Sequence, residues 1–170
     1  MQLPTARPAR RPLQLTDLEQ LAAALRGPGD TVFAAADALT TEVIGHKLFT
    51  INLFDAARVE VARVYTSDPA VYPVGGRKKK AQTAWGDHVL IGCQVFLGAG
   101  ADAVRAAFDD HETIFSLGVG SILNIPVCLD GRCVGTMNLG HEAHWFTAED
   151  VRSAQIIAAF LTAPLARMQP

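Results

Sequence analysis

The spacing of hydrophobic positions changes along the chain, and each change marks a different element. Leu15, Leu18, Leu21, Ala22 and Leu25 recur at intervals of three and four, which lines one face of an α-helix. Thr16 and Glu19 have the offset of a capping box, so the pattern predicts a helix running to about Arg26 and stopped by Gly27-Pro28-Gly29. Asp30 is placed to cap a second helix through Val32, Phe33, Ala36, Leu39 and Val43, which Gly45 can end. From Lys47 the period falls to two. Phe49, Ile51 and Leu53 alternate on one strand, Asp55-Ala56-Ala57 makes a turn, and Val59, Val61 and Tyr65 follow on the next, which predicts a hairpin.

Residues 66–80 break both periods. They carry two prolines, Gly75-Gly76 and four consecutive cations, and read as a long connection able to act as a lid. Beyond it, Thr83 is placed to cap a short helix through Trp85 and His88, residues 94–97 read as a brief strand, and residues 101–108 as another short helix. The clearest local signal is a pair of β-rich runs, 121–129 and 132–140, around Asp130-Gly131, the dipeptide suited to a type I′ turn. A two-residue loop pairs Leu129 with Arg132 and sets Cys128 opposite Cys133 on one face of the sheet. Thr147 and Asp150 then have cap spacing, and Val151, Ala154, Ala158 and Leu161 mark a last helix interrupted near Pro164. Helices at both ends with hairpins between them predict an α+β fold. Its antiparallel sheet carries the terminal helices on one face and the mid-chain helices and loops on the other.

Composition limits what this fold can be. At 170 residues, 49% hydrophobic and 19% charged, the chain fits one domain that buries roughly 70% of its unfolded surface. That domain is expected over residues 15–168, after a mobile tail of residues 1–14 in which Arg7, Arg10 and Arg11 lie among prolines and small residues. A formal charge of −2 and a pI near 6.2 offer no general field for nucleic acid or an anionic membrane. No apolar run approaches the ~20 residues of a transmembrane helix, and residues 1–14 lack the apolar stretch of a signal peptide, so a cytoplasmic location is expected. Cys93, Cys128 and Cys133 are too few for a secreted disulfide framework and are expected as reduced thiols.

The order of elements resembles that of a GAF domain. The resemblance is carried by Ser121-Ile-Leu-Asn-Ile-Pro-Val, the Asp130-Gly131 turn, Val134-Gly135-Thr136-Met137-Asn138-Leu139 and the entry Phe146-Thr147-Ala148-Glu149-Asp150. It extends from about Thr16 to Ala166, and Tyr65-Thr66-Ser67 with Tyr72-Pro73-Val74-Gly75-Gly76 look like segments of stand-alone bacterial GAF proteins. It implies a central antiparallel sheet of about six strands, a pocket between the sheet and the mid-chain segments, and dimerisation through terminal helices. Members of the family bind cyclic nucleotides, bilins, haem or small metabolites, so the fold does not select among them. One branch reduces free methionine sulfoxide with a cysteine just before the strand that here begins at Ser121. Ile114 stands at that position, and an isoleucine cannot supply the thiolate this chemistry needs. The catalytic alternative therefore rests on Cys93 with Cys128 or Cys133.

Binding rather than turnover is the expectation, with an unidentified small molecule as partner and neither cofactor nor metal. His141-Glu142-Ala143-His144 lacks the helical four-residue offset that brings two imidazoles to one metal, and reads as hydrogen bonding within the turn before the last helix. Asp109-Asp110-His111-Glu112 could pair carboxylate with imidazole for acid-base work but reads first as a helix start, and the GAF resemblance implies a pocket wall at this segment, so His111 and Ser116 are expected to face the cavity. Trp85 and His88 lie on the opposing short helix, where an indole offers flat area and one donor. Arg77, Lys78, Lys79 and Lys80 after Gly75-Gly76 are candidates for an anionic group, with Arg77 taken into the ligand-binding set. Asn124 and Asn138 interrupt apolar strands and must find partners or cost ~1–3 kcal/mol. With Tyr65 and Tyr72 these make up the expected ligand-binding set.

Overall fold

Six strands, β1 (Leu48–Asp55), β2 (Glu60–Thr66), β3 (Arg77–Lys79), β4 (Phe96–Gly98), β5 (Ser121–Leu129) and β6 (Arg132–His141), form one antiparallel sheet. Its order is β3-β2-β1-β6-β5-β4. The structure is a computed structural model and describes residues 10–169. Both predicted hairpins are present, and β1 pairs with β6 to join them into one sheet. At the tip of the second, Asp130 and Gly131 both take positive φ, 51° and 74°, as a type I′ turn requires. Cys128 stands opposite Cys133 and Leu129 opposite Arg132, the register expected from the turn.

The helices are α1 (Leu15–Ala24), α2 (Thr31–Val43), α3 (Ala101–Ala107), α4 (His111–Ser116), α5 (Ala148–Ala159) and α6 (Thr162–Arg167). Helices α1, α2, α5 and α6 cover one face of the sheet, where Phe33, Ile157 and Leu161 pack on Phe49, Ile51 and Leu123. Each such side chain, fully buried, contributes roughly 1.5–3 kcal/mol, so this layer is the main core. The mid-chain segments take the other face. There Trp85, Val89 and Leu90 meet Phe54 and Val61, while Val104 and Ile114 meet Ile122. Residues 86–91 wind as a π-helical segment in which the Gly92 N–H reaches back five residues to the Asp87 carbonyl, 2.8 Å away. This is the two-sided layering that the hairpins and terminal helices predicted.

Three local expectations are corrected. The start of α1 lies at Gln14, whose N–H donates to the Asp17 carboxylate at 2.8 Å, rather than at Thr16 with Glu19. Asp17 is the better residue because Arg11 also grips its carboxylate, at 2.7 and 2.9 Å. The same contact shows that the described part of the expected tail lies against the body of the protein. Arg10 pairs with Asp150 at 3.1 Å and stacks 4.8 Å from the Trp145 ring, whereas Arg7 falls outside the described residues. Finally, the connection of residues 66–80 is not wholly irregular, because Arg77–Lys79 pair with β2 as an edge strand. Exposed lysines on a sheet edge are a common device against unwanted pairing.

Candidate functional site

Parity along the strands decides which side chains face the mid-chain layer. On β1 the even positions Leu48, Thr50 and Asn52 do so, and on β5 and β6 so do Ile122, Asn124 and Asn138. On β2 the parity is reset by a bulge, since Ile51 pairs with Tyr65 but Asn52 pairs with Arg63, leaving Val64 as the extra residue. A bulge moves every side chain beyond it to the other face. Val61 and Arg63 therefore face the mid-chain layer, and Tyr65 faces α2.

Between this face and the mid-chain segments lies an open-mouthed cavity of about 100 Å³. Its floor is a chain of hydrogen bonds across three strands. The Trp85 indole N–H donates to Asn124 Oδ1 at 2.9 Å, Asn124 Nδ2 donates to Asn138 Oδ1 at 2.8 Å, and Asn138 Nδ2 donates to Thr50 Oγ1 at 3.1 Å. Both polar interruptions of the last hairpin are thereby satisfied, and each holds the next in place. The walls are apolar and aromatic, formed by Trp85, Phe108, Ile114 and Tyr72.

The rim is cationic. Lys78 Nζ approaches the Asp110 carboxylate at 2.6 Å, and the Tyr72 hydroxyl donates to the same carboxylate at 2.9 Å. Burial raises the Asp110 carboxyl, but Lys78 and Tyr72 outweigh it and hold the group below its usual range. Burial and the bond to Asp110 push the Tyr72 hydroxyl's pKa up. Arg63 stacks 4.8 Å from the Tyr72 ring and donates to the Pro73 carbonyl at 2.9 Å. Gly76 makes room for it, because a Cβ there would lie 2.7 Å from the Arg63 guanidinium. Lys80 sits 4.8 Å from the Trp85 ring and 5.8 Å from Phe108. Burial lowers its pKa, and the charge of Lys78 adds to the effect.

Four of the expected residues, Tyr72, Trp85, Asn124 and Asn138, come together around this cavity. The other five lie elsewhere. Tyr65 is turned away by the bulge, and its hydroxyl donates to Asp37 on α2 at 2.8 Å. Arg77 points off the edge strand to Glu60, 2.9 Å away, since strand alternation sends Lys78 inward instead. His88 is exposed on the outer side of the π-helical segment with Nε2 2.9 Å from the Val95 carbonyl. His111 Nδ1 is 2.9 Å from the Phe108 carbonyl, and exposed Ser116 donates back to the Thr113 carbonyl at 2.7 Å, so both are consumed by the turns of their own short helix. Arg63 and Asn52 were missed, and of the cationic run it is Lys78 and Lys80 rather than Arg77 that line the cavity. A charged residue inside the apolar run of β2 was the available signal for Arg63, and alternation from Lys78 was the signal for Lys80.

The cysteines gather beside the Asp130-Gly131 turn, in the apolar cluster that also holds Trp85 and Phe108 of the cavity wall. Cys133 is buried with Phe54 and Val89, with Cys93 and Cys128 beside it, and all three are free thiols. Burial pushes the Cys133 thiol up to about 12. Burial and contact with Cys93 push Cys128 up as well, the reverse of what a nucleophilic thiolate needs. Ile114 lies in the cavity wall. Among the described residues no group of three or more His, Cys, Asp or Glu is arranged to hold a metal. Near the expected His141-Glu142 turn, the Glu142 N–H donates to His141 Nδ1 at 2.8 Å, and the His141 ring stacks on Trp145 with centroids 3.5 Å apart.

The family model described as GAF domain matches residues 51–164. No curated protein matches the chain. Among solved structures, the GAF domain of a phosphoenolpyruvate-protein phosphotransferase from Coxiella burnetii superposes with a TM-score of 0.73 at 21% identity, covering 90% of this chain and 92% of that one. A phycoerythrobilin-bound GAF domain from a cyanobacterial phytochrome superposes at 0.68 with 14% identity, over 94% and 100% of the two chains. Free methionine-R-sulfoxide reductase from Neisseria meningitidis, solved with its substrate, gives 0.66 at 16% identity over 94% and 96%. At such identities the likeness is one of fold.

Proposed function

The chain belongs to the GAF domain family, a regulatory and sensory fold for small molecules, and from that premise we propose that it retains a small metabolite in the cavity behind Trp85. The observation that carries this reading is the cavity itself. It lies between the sheet and the mid-chain layer, with a floor of satisfied amides and aromatic walls, the mixture of apolar surface and a few placed polar groups typical of ligand sites. At about 100 Å³ it is small beside the ~300–1,000 Å³ of drug-sized sites. It is also smaller than the ~150 Å³ that holds a benzene ring, so it suits a small guest, part of which reaches into the open mouth.

Sulfoxide reduction is not favoured, because the resemblance to that branch puts Ile114 where its thiol is expected, and burial holds Cys128 and Cys133 protonated. The same reading has the module act in the cytoplasm, pair with a second copy through its terminal helices and pass its bound state to a partner protein. Among the described residues no helix is long and apolar enough to cross a membrane, which accords with that setting. Native mass spectrometry of freshly purified protein tests the reading. A fraction carrying added small-molecule mass is expected, and its loss in Trp85→Ala ties the guest to this cavity. Retained mass that is indifferent to Trp85→Ala would place the guest elsewhere and defeat the reading.

A further inference from the structure

Three cations and one carboxylate line the cavity: Arg63, Lys78, Lys80 and Asp110. Lys78 and the Tyr72 hydroxyl already occupy Asp110. Among the described residues neither Arg63 nor Lys80 forms an ion pair, and each is instead held against aromatic rings by cation–π contact. The Arg63 Nε is buried with no hydrogen-bond partner. Asn52, paired with Arg63 across the sheet, lines the same cavity, and among the described residues no hydrogen bond engages its side-chain amide. An unpartnered buried donor such as the Arg63 Nε is costly, roughly 1–3 kcal/mol for a neutral group and more for a charged one, while Lys80 and Asn52 keep donors free at the half-buried cavity wall. They are consistent with a site completed by something that arrives from solution.

Resting on the reading of this cavity as a small-molecule site, we propose that its guest is a small planar carboxylate. The carboxylate is taken between Arg63 and Lys80 with help from Asn52, and its flat body lies against Trp85 and Phe108. Size argues for a carboxylate on a compact body, because a cavity of about 100 Å³ open at its mouth admits little more than one small ring. Chemistry argues for oxygen acceptors, because a guanidinium and an ammonium with no ion-pair partner and an amide with no hydrogen bond all line this one cavity. Burial lowers the pKa of both Arg63 and Lys80, and an arriving anion offsets that cost.

Benzoate, benzamide and benzylamine test the charge on one body, since each places a single functional group on the same ring. The chain has two tryptophans, so the indole N–H resonance of Trp85 in ¹⁵N-labelled full-length protein reports the cavity. That of Trp145, whose N–H is bonded to the Ile44 carbonyl at 2.9 Å, serves as the internal control. Benzoate is expected to shift Trp85 saturably and leave Trp145 unmoved, with at least a tenfold weaker response to benzamide and none to benzylamine. Arg63→Met and Lys80→Met are expected to remove the preference for benzoate while keeping dispersed, folded spectra, and Lys80→Arg to restore it. Benzamide binding as tightly as benzoate, or undiminished benzoate binding in both Met variants, would overturn the anion assignment and leave the cavity a small-molecule site. No Trp85 response to any probe overturns the assignment too, while the retained mass seen with and without Trp85 decides the broader reading separately.

Discussion

Arg63 and Tyr65 stand two positions apart on β2 and face opposite sides of the sheet, because Val64 is inserted between them as a bulge. A strict period of two puts them on one face, so parity read from the sequence alone cannot tell that Arg63 lines the cavity while Tyr65 meets α2. The cationic run shows the same rule without a bulge: Lys78 and Lys80 reach the cavity, and Arg77 between strand and solvent reaches Glu60. Burial leaves its own mark on Cys133, whose thiol is pushed up to about 12. In the unfolded chain a thiol ionises near pH 8.5. The raised folded value therefore stabilises the protein fully below about pH 8.5. That contribution fades as pH climbs from there toward the folded value, because only the unfolded state gains by ionising. Urea denaturation is expected to give a falling unfolding free energy between neutral and alkaline pH, with a flatter profile in Cys133→Ala. Parallel profiles for the two proteins would show that this thiol does not couple to folding.

At the level of elements, capping signals were legible where side chain and backbone close a local ring, and less so where a distant residue joins in. Thr147 and Asp150 form the expected box at α5, with the Asp150 N–H donating to Thr147 Oγ1 at 3.3 Å and the Thr147 N–H to Asp150 Oδ2 at 2.7 Å. At α1 the spacing of Thr16 and Glu19 was equally suggestive, but Arg11 holds Asp17 and moves the start to Gln14. Thr147→Ala is expected to destabilise the protein by about 1 kcal/mol, read as a lower urea midpoint with an unchanged slope. Since α5 packs on the helix-covered face, away from the cavity, guest retention in native mass spectra should not change. A loss of retention would mean that the two faces of the sheet are coupled. The edge strand β3 gave no hydrophobic signal, because an exposed strand of Arg-Lys-Lys is held by backbone bonds to β2 and by the ion pairs of Arg77 with Glu60 and Lys78 with Asp110 rather than by apolar burial.

For the whole molecule, the sheet separates two jobs. One face carries the large helical core, and the other divides its apolar residues into two smaller clusters with the cavity between them. Packing the terminal helices tightly leaves a few apolar side chains outside, among them Leu15 on α1, 71% exposed, and Ile156 on α5, 45% exposed. These suit the proposed pairing through terminal helices. Sedimentation of the full chain is expected to give the mass of a homodimer, and Leu15→Glu with Ile156→Glu to shift it to the monomer. A wild-type monomer at micromolar concentration would remove the dimer from the proposal.

The amino-acid sequence by itself determined the elements whose causes are local: two amphipathic helices at the start, a hairpin at Asp130-Gly131 with its cysteines in register, a capped final helix, and hence an α+β sheet with helices at both ends. Period, turn chemistry and caps act over a few residues, so they can be read from neighbours. Tertiary structure alone decided that β1 pairs with β6, that Val64 bulges, and that Arg63, Lys80 and Asn52 converge on one cavity while Tyr65, Arg77, His88, His111 and Ser116 do not. Those outcomes depend on pairing between strands far apart in the chain, where a shift of one residue exchanges the two faces of the sheet.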